Sequence, residues 1–145
     1  MHTMTLPTKI KEIKREWHLV DVGGKILGRE GTNIAQLLMG KKKPYFSKNM
    51  DCGDYVVVVN ASEVKLTGNK EKNKIYTNYS GYPGGLRSRT AAEVRTKKPE
   101  ELITHAVGGM LPHNKLRDKM LSRLFKLCAI YRTSQGYICS KIKSL

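Results

Sequence analysis

The sequence predicts an α/β fold: a sandwich of helices on a small, mostly parallel sheet of four strands. Two observations carry this. Tyr55-Val56-Val57-Val58-Val59 is apolar without polar alternation, as in a strand covered on both faces of a parallel sheet. Around it, strand candidates alternate with segments of helical period, the order that layers helices on a sheet.

Trp17-His18-Leu19-Val20-Asp21-Val22 reads as the first strand, aromatic and β-branched, ended by Gly23-Gly24. From Ile26 the period changes: Ile26, Leu27, Ile34, Leu37 and Leu38 share a helix stripe, and Gly40 is the natural stop. Gly28 and Gly31 weaken that helix by about 1 kcal/mol each relative to Ala, which close packing or backbone approach would explain. After the Tyr55–Val59 strand, Asn60-Ala61-Ser62 turns the chain, Val64-Lys65-Leu66 is a short strand, and Lys74 to Tyr79 is an alternating one. Ser80 to Arg89 is too glycine-rich for regular structure. A helix starts at Thr90, with Glu93 at capping-box distance. Pro99-Glu100-Glu101 opens another, proline in the first turn and acids against the positive end of the dipole, and Gly108-Gly109 ends it. Asn114 to about Leu127 forms a third. With no internal repeat, the chain divides into a basic arm (1–16), one domain (17–127) and a C-terminal tail (128–145).

Charge is the strongest global signal. The 145 residues carry 27 Lys+Arg against 12 Asp+Glu, a net charge of +15. Such an excess repels itself in a compact fold, and a polyanion relieves it while releasing counterions. No apolar run approaches the eighteen or so residues of a membrane span, and no basic amphipathic helix points to a membrane surface. Residues 1–16 lack the apolar core of a signal peptide.

Chemistry-bearing patterns are missing. Gly23-Gly24-Lys25-Ile26-Leu27-Gly28 sits where a dinucleotide fingerprint would but lacks its glycine spacing. No Walker, G-x-S-x-G or H-E-x-x-H pattern occurs. Asp51 and Asp54 flank Cys52-Gly53 and read better as turn chemistry than as a carboxylate pair. Cys52, Cys128 and Cys139 form no C-x-x-C, and the four histidines are scattered, so no zinc cluster, cofactor or small-molecule substrate is expected. Sequence leaves open whether Cys128 and Cys139 meet.

The basic loops are the candidate site. Lys41, Lys42 and Lys43, then Lys70, Lys72 and Lys74, Arg87 and Arg89, and Lys97-Lys98 stand beside turns. Lysine neutralises phosphate as a point charge, and arginine forks onto it or stacks on a base. Tyr45, Tyr76, Tyr79 and Tyr82 lie nearby and suit stacking on unpaired bases. Gly84 and Gly85 would permit close backbone approach, and Lys115 and Arg117 belong to the basic third helix.

Several segments together resemble the large-subunit ribosomal protein family L-thirteen, in its bacterial and organellar branch. They are Trp17-His18-Leu19-Val20-Asp21 with Ile26-Leu27-Gly28-Arg29, Gly40-Lys41-Lys42-Lys43-Pro44, Asp51-Cys52-Gly53-Asp54 through Ala61, Thr67-Gly68-Asn69-Lys70, Tyr79-Ser80-Gly81-Tyr82-Pro83-Gly84-Gly85, and Gly109-Met110-Leu111-Pro112-His113-Asn114-Lys115-Leu116-Arg117. They follow family order over roughly residues 17 to 125. The resemblance implies a three-layer α/β/α sandwich and a structural, non-enzymatic role in the large ribosomal subunit. It also implies contact with ribosomal RNA and neighbouring ribosomal proteins, and a part in assembly. Asp-Cys-Gly-Asp, Gly-Tyr-Pro-Gly-Gly and Met-Leu-Pro-His-Asn-Lys-Leu-Arg look most like mitochondrial members, which places the ribosome in the mitochondrial matrix; a bacterial cytoplasm or plastid is the alternative. Glu30-Gly31 departs from the Leu-Ala of many bacterial members, and the chain from Phe125 onward does not resemble the family's usual ending. A free-standing RNA-binding or chaperone protein and a nucleotide-dependent enzyme are the competing readings.

Overall fold

The computed structural model describes residues 9, 12–127, 131–133 and 136–138. In chain order the elements are β1 (Trp17–Asp21), α1 (Leu27–Met39), β2 (Tyr55–Val59), a 3-10 turn (Ala61–Glu63), α2 (Lys70–Asn73), β3 (Ile75–Tyr79), β4 (Leu86–Thr90), α3 (Ala91–Lys97), α4 (Pro99–Met110), α5 (Arg117–Ser122), β5 (Leu124–Lys126), β6 (Tyr131–Thr133) and β7 (Gly136–Ile138). The α/β class holds, with a parallel main sheet.

That sheet has three strands rather than four, in the order β1-β2-β5. Both pairings are parallel, with Trp17 opposite Tyr55 and Val56 opposite Leu124. The valine run is its centre. Val56 and Val58 are fully buried and point with Leu124 into one core, against Ile34 and Leu38 of α1 and Leu102, Ile103 and Val107 of α4. Burying such a side chain contributes about 1.5–3 kcal/mol. The opposite face carries Trp17 and Leu19, each 61% exposed, with Tyr55 and Phe125 half-buried beside them. Trp17 stacks on Tyr55 at 4.5 Å and tilts against Phe125 at 5.5 Å. That face is open at Trp17 and Leu19, while Val59 at the far end of β2 is buried.

Helix limits follow local chemistry. Gly40 closes α1 in the left-handed conformation, φ 73°, its N–H reaching the Gln36 and Leu37 carbonyls. Thr90 and Glu93 form the expected capping box on α3. Helix α4 does not stop at Gly108-Gly109 as expected but runs through them to Met110, and the Arg117 side chain lies over Gly108, where a Cβ would stand 3.3 Å from Nη2.

Three further expectations are corrected. Ser80 to Arg89 is half strand: β4 pairs antiparallel with β3 from Ile75–Thr90 to Tyr79–Leu86, and the glycines are confined to the tip. Val64-Lys65-Leu66 contributes only an isolated parallel bridge, Ile26 to Lys65. The third helix is short, and Leu124-Phe125-Lys126 is the strand that completes the parallel sheet. Strands β6 and β7 form a separate antiparallel pair within the expected tail. Cys128 and Cys139 lie outside the described residues.

Candidate nucleic-acid interface

Two aspartates decide which cations are free to act outward. Asp51 and Asp54 bracket the segment that leads into β2, and both are held inside the fold. Asp51 accepts a bidentate pair from the guanidinium of Arg123, which is 5% exposed, and a further contact from Arg15 at 3.4 Å. Asp54, 3% exposed, accepts from the Glu16 backbone N–H at 2.9 Å, contacts His18 Nε2 at 3.1 Å, and pairs with Lys43. Burial alone would raise the Asp54 pKa. The Lys43 ammonium, the Glu16 N–H and His18 outweigh it and hold the carboxyl below its ordinary value. For Lys43, burial would depress the ammonium, but Asp54 wins and raises it. Between the aspartates, Gly53 passes so close to α1 that a Cβ would stand 1.7 Å from the Leu38 carbonyl oxygen. Cys52 is fully buried there. The segment is thus a clamp joining arm, α1, β2 and β5, rather than the turn its composition suggests. Charge pairing across 72 positions leaves no mark on local sequence.

Lys43 therefore parts from the other candidates. Its ammonium also donates to the Lys14 carbonyl at 2.6 Å, which anchors the described end of the arm. Lys41 and Lys42 remain exposed just beyond the end of α1. Lys70 and Lys72 lie on α2, and Lys74 precedes β3. Lys70 and Lys74 join Lys65 around a cleft of about 310 Å³ at the other end of α1, with Gly28 and Gly109 in its wall and no carboxylate among its lining residues. A thirteen-residue helix is about 20 Å long, so the two lysine groups stand roughly that far apart. Lys115 is exposed, whereas Arg117 is half-buried with Nη1 3.0 Å from His113 Nδ1.

Arg87 and Arg89 stand on β4, opposite Asn78 and Tyr76. With those partners they line a cleft of about 300 Å³ that also meets Glu101 and His105 of α4. Tyr82 at the hairpin tip is 76% exposed. Gly84 needs glycine for its φ of +73°. Gly85 needs it for space, since a Cβ would lie 2.0 Å from Ser80 Oγ. Both glycines are thus demanded by the hairpin itself. Tyr76 turns inward, 5.1 Å from the His105 ring.

The carboxylates are largely spent on internal structure. Glu30 meets Lys25, Glu71 meets Arg95 at 2.8 Å, Glu101 meets Lys98, and Asp21 accepts from Gly23 and Asn60. The Gly23 N–H is the main cause of the lowered Asp21 pKa. Among the described residues, Lys41, Lys42, Lys70, Lys72, Lys74, Arg87, Arg89 and Lys115 take part in no ion pair. No group of three or more metal-ligating side chains occurs among the described residues, and no described helix is long and apolar enough to cross a membrane.

Residues 15–134 match the family model described as Ribosomal protein L13. The match continues beyond Phe125, where the motif resemblance ends. The chain is similar to the large ribosomal subunit protein uL13 of Syntrophotalea carbinolica, 54% identical over 120 residues, covering 83% of this chain and 84% of that one. The uL13 protein of Geobacter sulfurreducens is 52% identical with the same coverage. That of Geobacillus kaustophilus is 48% identical over 131 residues, 90% of this chain and 88% of its own.

Proposed function

The chain belongs to the ribosomal protein L13 family, and on that premise we propose that it is a structural constituent of the large ribosomal subunit. It binds ribosomal RNA through its basic loops and supports subunit assembly without catalysing a reaction. The observation that carries the RNA reading is the division of charge. Asp51, Asp54, Glu71 and Glu101 are engaged within the protein, while Lys41, Lys42, Lys70, Lys72, Lys74, Arg87 and Arg89 are exposed and without ion pairs among the described residues. A surface of that kind finds its counter-charge on a phosphate backbone.

The relatives named above are bacterial, so the mitochondrial placement is not carried forward. A bacterial cytoplasm is the compartment we propose, and the genome that carries the gene decides it.

Sedimentation of extract at moderate salt tests the role. The protein is expected in the large-subunit fraction, and mostly free protein would instead support the free-standing RNA-binding reading. A nucleotide-dependent enzyme would show saturable mononucleotide binding that survives high salt, which phosphate-backbone contacts do not.

A further inference from the structure

The β3–β4 hairpin has two unlike faces. Register puts Tyr76, Asn78, Arg87 and Arg89 on one side, toward α4. Ile75, Thr77 and Tyr79 share the other with Leu86 and Ser88. That outer side is apolar and open: Ile75 is 58% exposed, Tyr79 61% and Leu86 65%, and Tyr82 extends it at the tip. The inner side packs toward α4, which leaves the outer stripe of large apolar side chains in water, the mark of a contact surface.

Charge identifies the occupant. From Lys72 to Ala92 the chain carries Lys72, Lys74, Arg87 and Arg89 and not one Asp or Glu. Arg87 and Arg89 edge the ribbon from its inner side, so a partner that spans both sides must bring negative charge as well as apolar surface, and RNA supplies phosphate and flat bases together. A regular A-form duplex shows side chains its backbone and a shallow minor groove, but no base faces. Aromatic side chains find base faces only where bases are unstacked.

We propose that the outer face of the β3–β4 hairpin packs on unpaired bases of an RNA loop or bulge. Tyr79 and Tyr82 are the stacking platforms, Ile75 and Leu86 the apolar flanks, and Arg87 and Arg89 hold the backbone from the inner face. This rests on the RNA-binding reading above and narrows it to RNA containing unstacked bases. Gly81 and Gly84, at φ 88° and 73°, supply the left-handed backbone of the turn from which Tyr82 projects.

The test uses the full chain and two RNA probes of equal length, a regular duplex and the same duplex interrupted by a bulge of unpaired bases, titrated from about 50 to 300 mM salt. The unaltered protein is expected to prefer the bulged probe. Y79A/Y82A should lose about tenfold or more on that probe, change little on the duplex, and keep the same salt slope. Y79F/Y82F should bind like the unaltered protein, because the ring is retained. R87Q/R89Q should weaken both probes and reduce the slope of log affinity against log salt by about 1.4–1.8, the release expected for two phosphates. Thermal melts of each variant separate binding from folding, since these side chains lie outside the core.

Equal affinity for both probes, or a Y79A/Y82A variant that folds and binds the bulged probe undiminished, overturns the proposal. The second result would point to a protein as the occupant of that face. Absence of the unaltered protein from the large-subunit fraction, with no RNA affinity at all, overturns the functional reading instead.

Discussion

The Asp54 carboxylate meets Glu16, His18 and Lys43 at once, so its ionisation couples the arm and the basic loop to the sheet. Its pKa is lowered, so the stability it contributes is present above the ordinary carboxylate pKa of about 3.9 and is lost as pH falls through the lower, folded value. Lys43 is the mirror case. Its raised pKa gives a contribution fully present below about 10.4 and lost as pH rises through the higher folded value. Urea unfolding at stepped pH should therefore show a plateau for this pair between about pH 4 and pH 10, with an acid limb below it. D54N should lower stability by about 3 kcal/mol, because it leaves the Lys43 ammonium largely buried without its partner, and should flatten the acid limb. An unaltered acid limb would mean that Asp54 does not carry it. None of this was legible in the sequence, where Asp51-Cys52-Gly53-Asp54 has the composition of a turn. The partners Arg15, Lys43 and Arg123 become partners only once the chain has folded.

At the scale of elements, signals written in neighbouring residues were readable. The Thr90–Glu93 capping box, the Gly40 stop and the valine strand stand where local chemistry puts them. Elements defined by a distant partner were not. Leu124-Phe125-Lys126 continues the apolar spacing of a helix, but pairing with Val56–Val58 and the buried Arg123–Asp51 contact hold it as strand. The same distinction sorts the glycines. Gly28 lies in α1 with nothing within 4 Å of a Cβ, whereas Gly53 would strike the Leu38 carbonyl. G28A is expected to raise stability by about 0.5–1 kcal/mol and G53A to lower it by about 2 kcal/mol or more, both read as shifts in the urea midpoint. A destabilised G28A would show that the helix start needs glycine after all.

Across the whole molecule, the basic groups lie at both ends of α1 rather than in one patch, a placement that sequence order alone did not disclose. Two groups about 20 Å apart are separated by more than the Debye length of about 8–10 Å near physiological salt. K41Q/K42Q and K70Q/K72Q/K74Q should then weaken RNA binding additively, to within about 0.5 kcal/mol. Each should reduce the salt slope by about 0.7–0.9 for every phosphate contact removed. A combined variant no weaker than the triple one alone would mean that Lys41 and Lys42 take no part.

The order of strands in the sheet has a consequence for the newborn chain. When β2 emerges its β1 partner is already made, 38 positions earlier, from 17 to 55. Its other edge waits for β5, 68 positions later, from 56 to 124. While those residues are being made, Val56-Val57-Val58 presents an unpaired, uncharged strand edge, the template on which foreign strands add. That edge of β2 stays open until Leu124–Lys126 is made, and the late strand covers it as it completes the core.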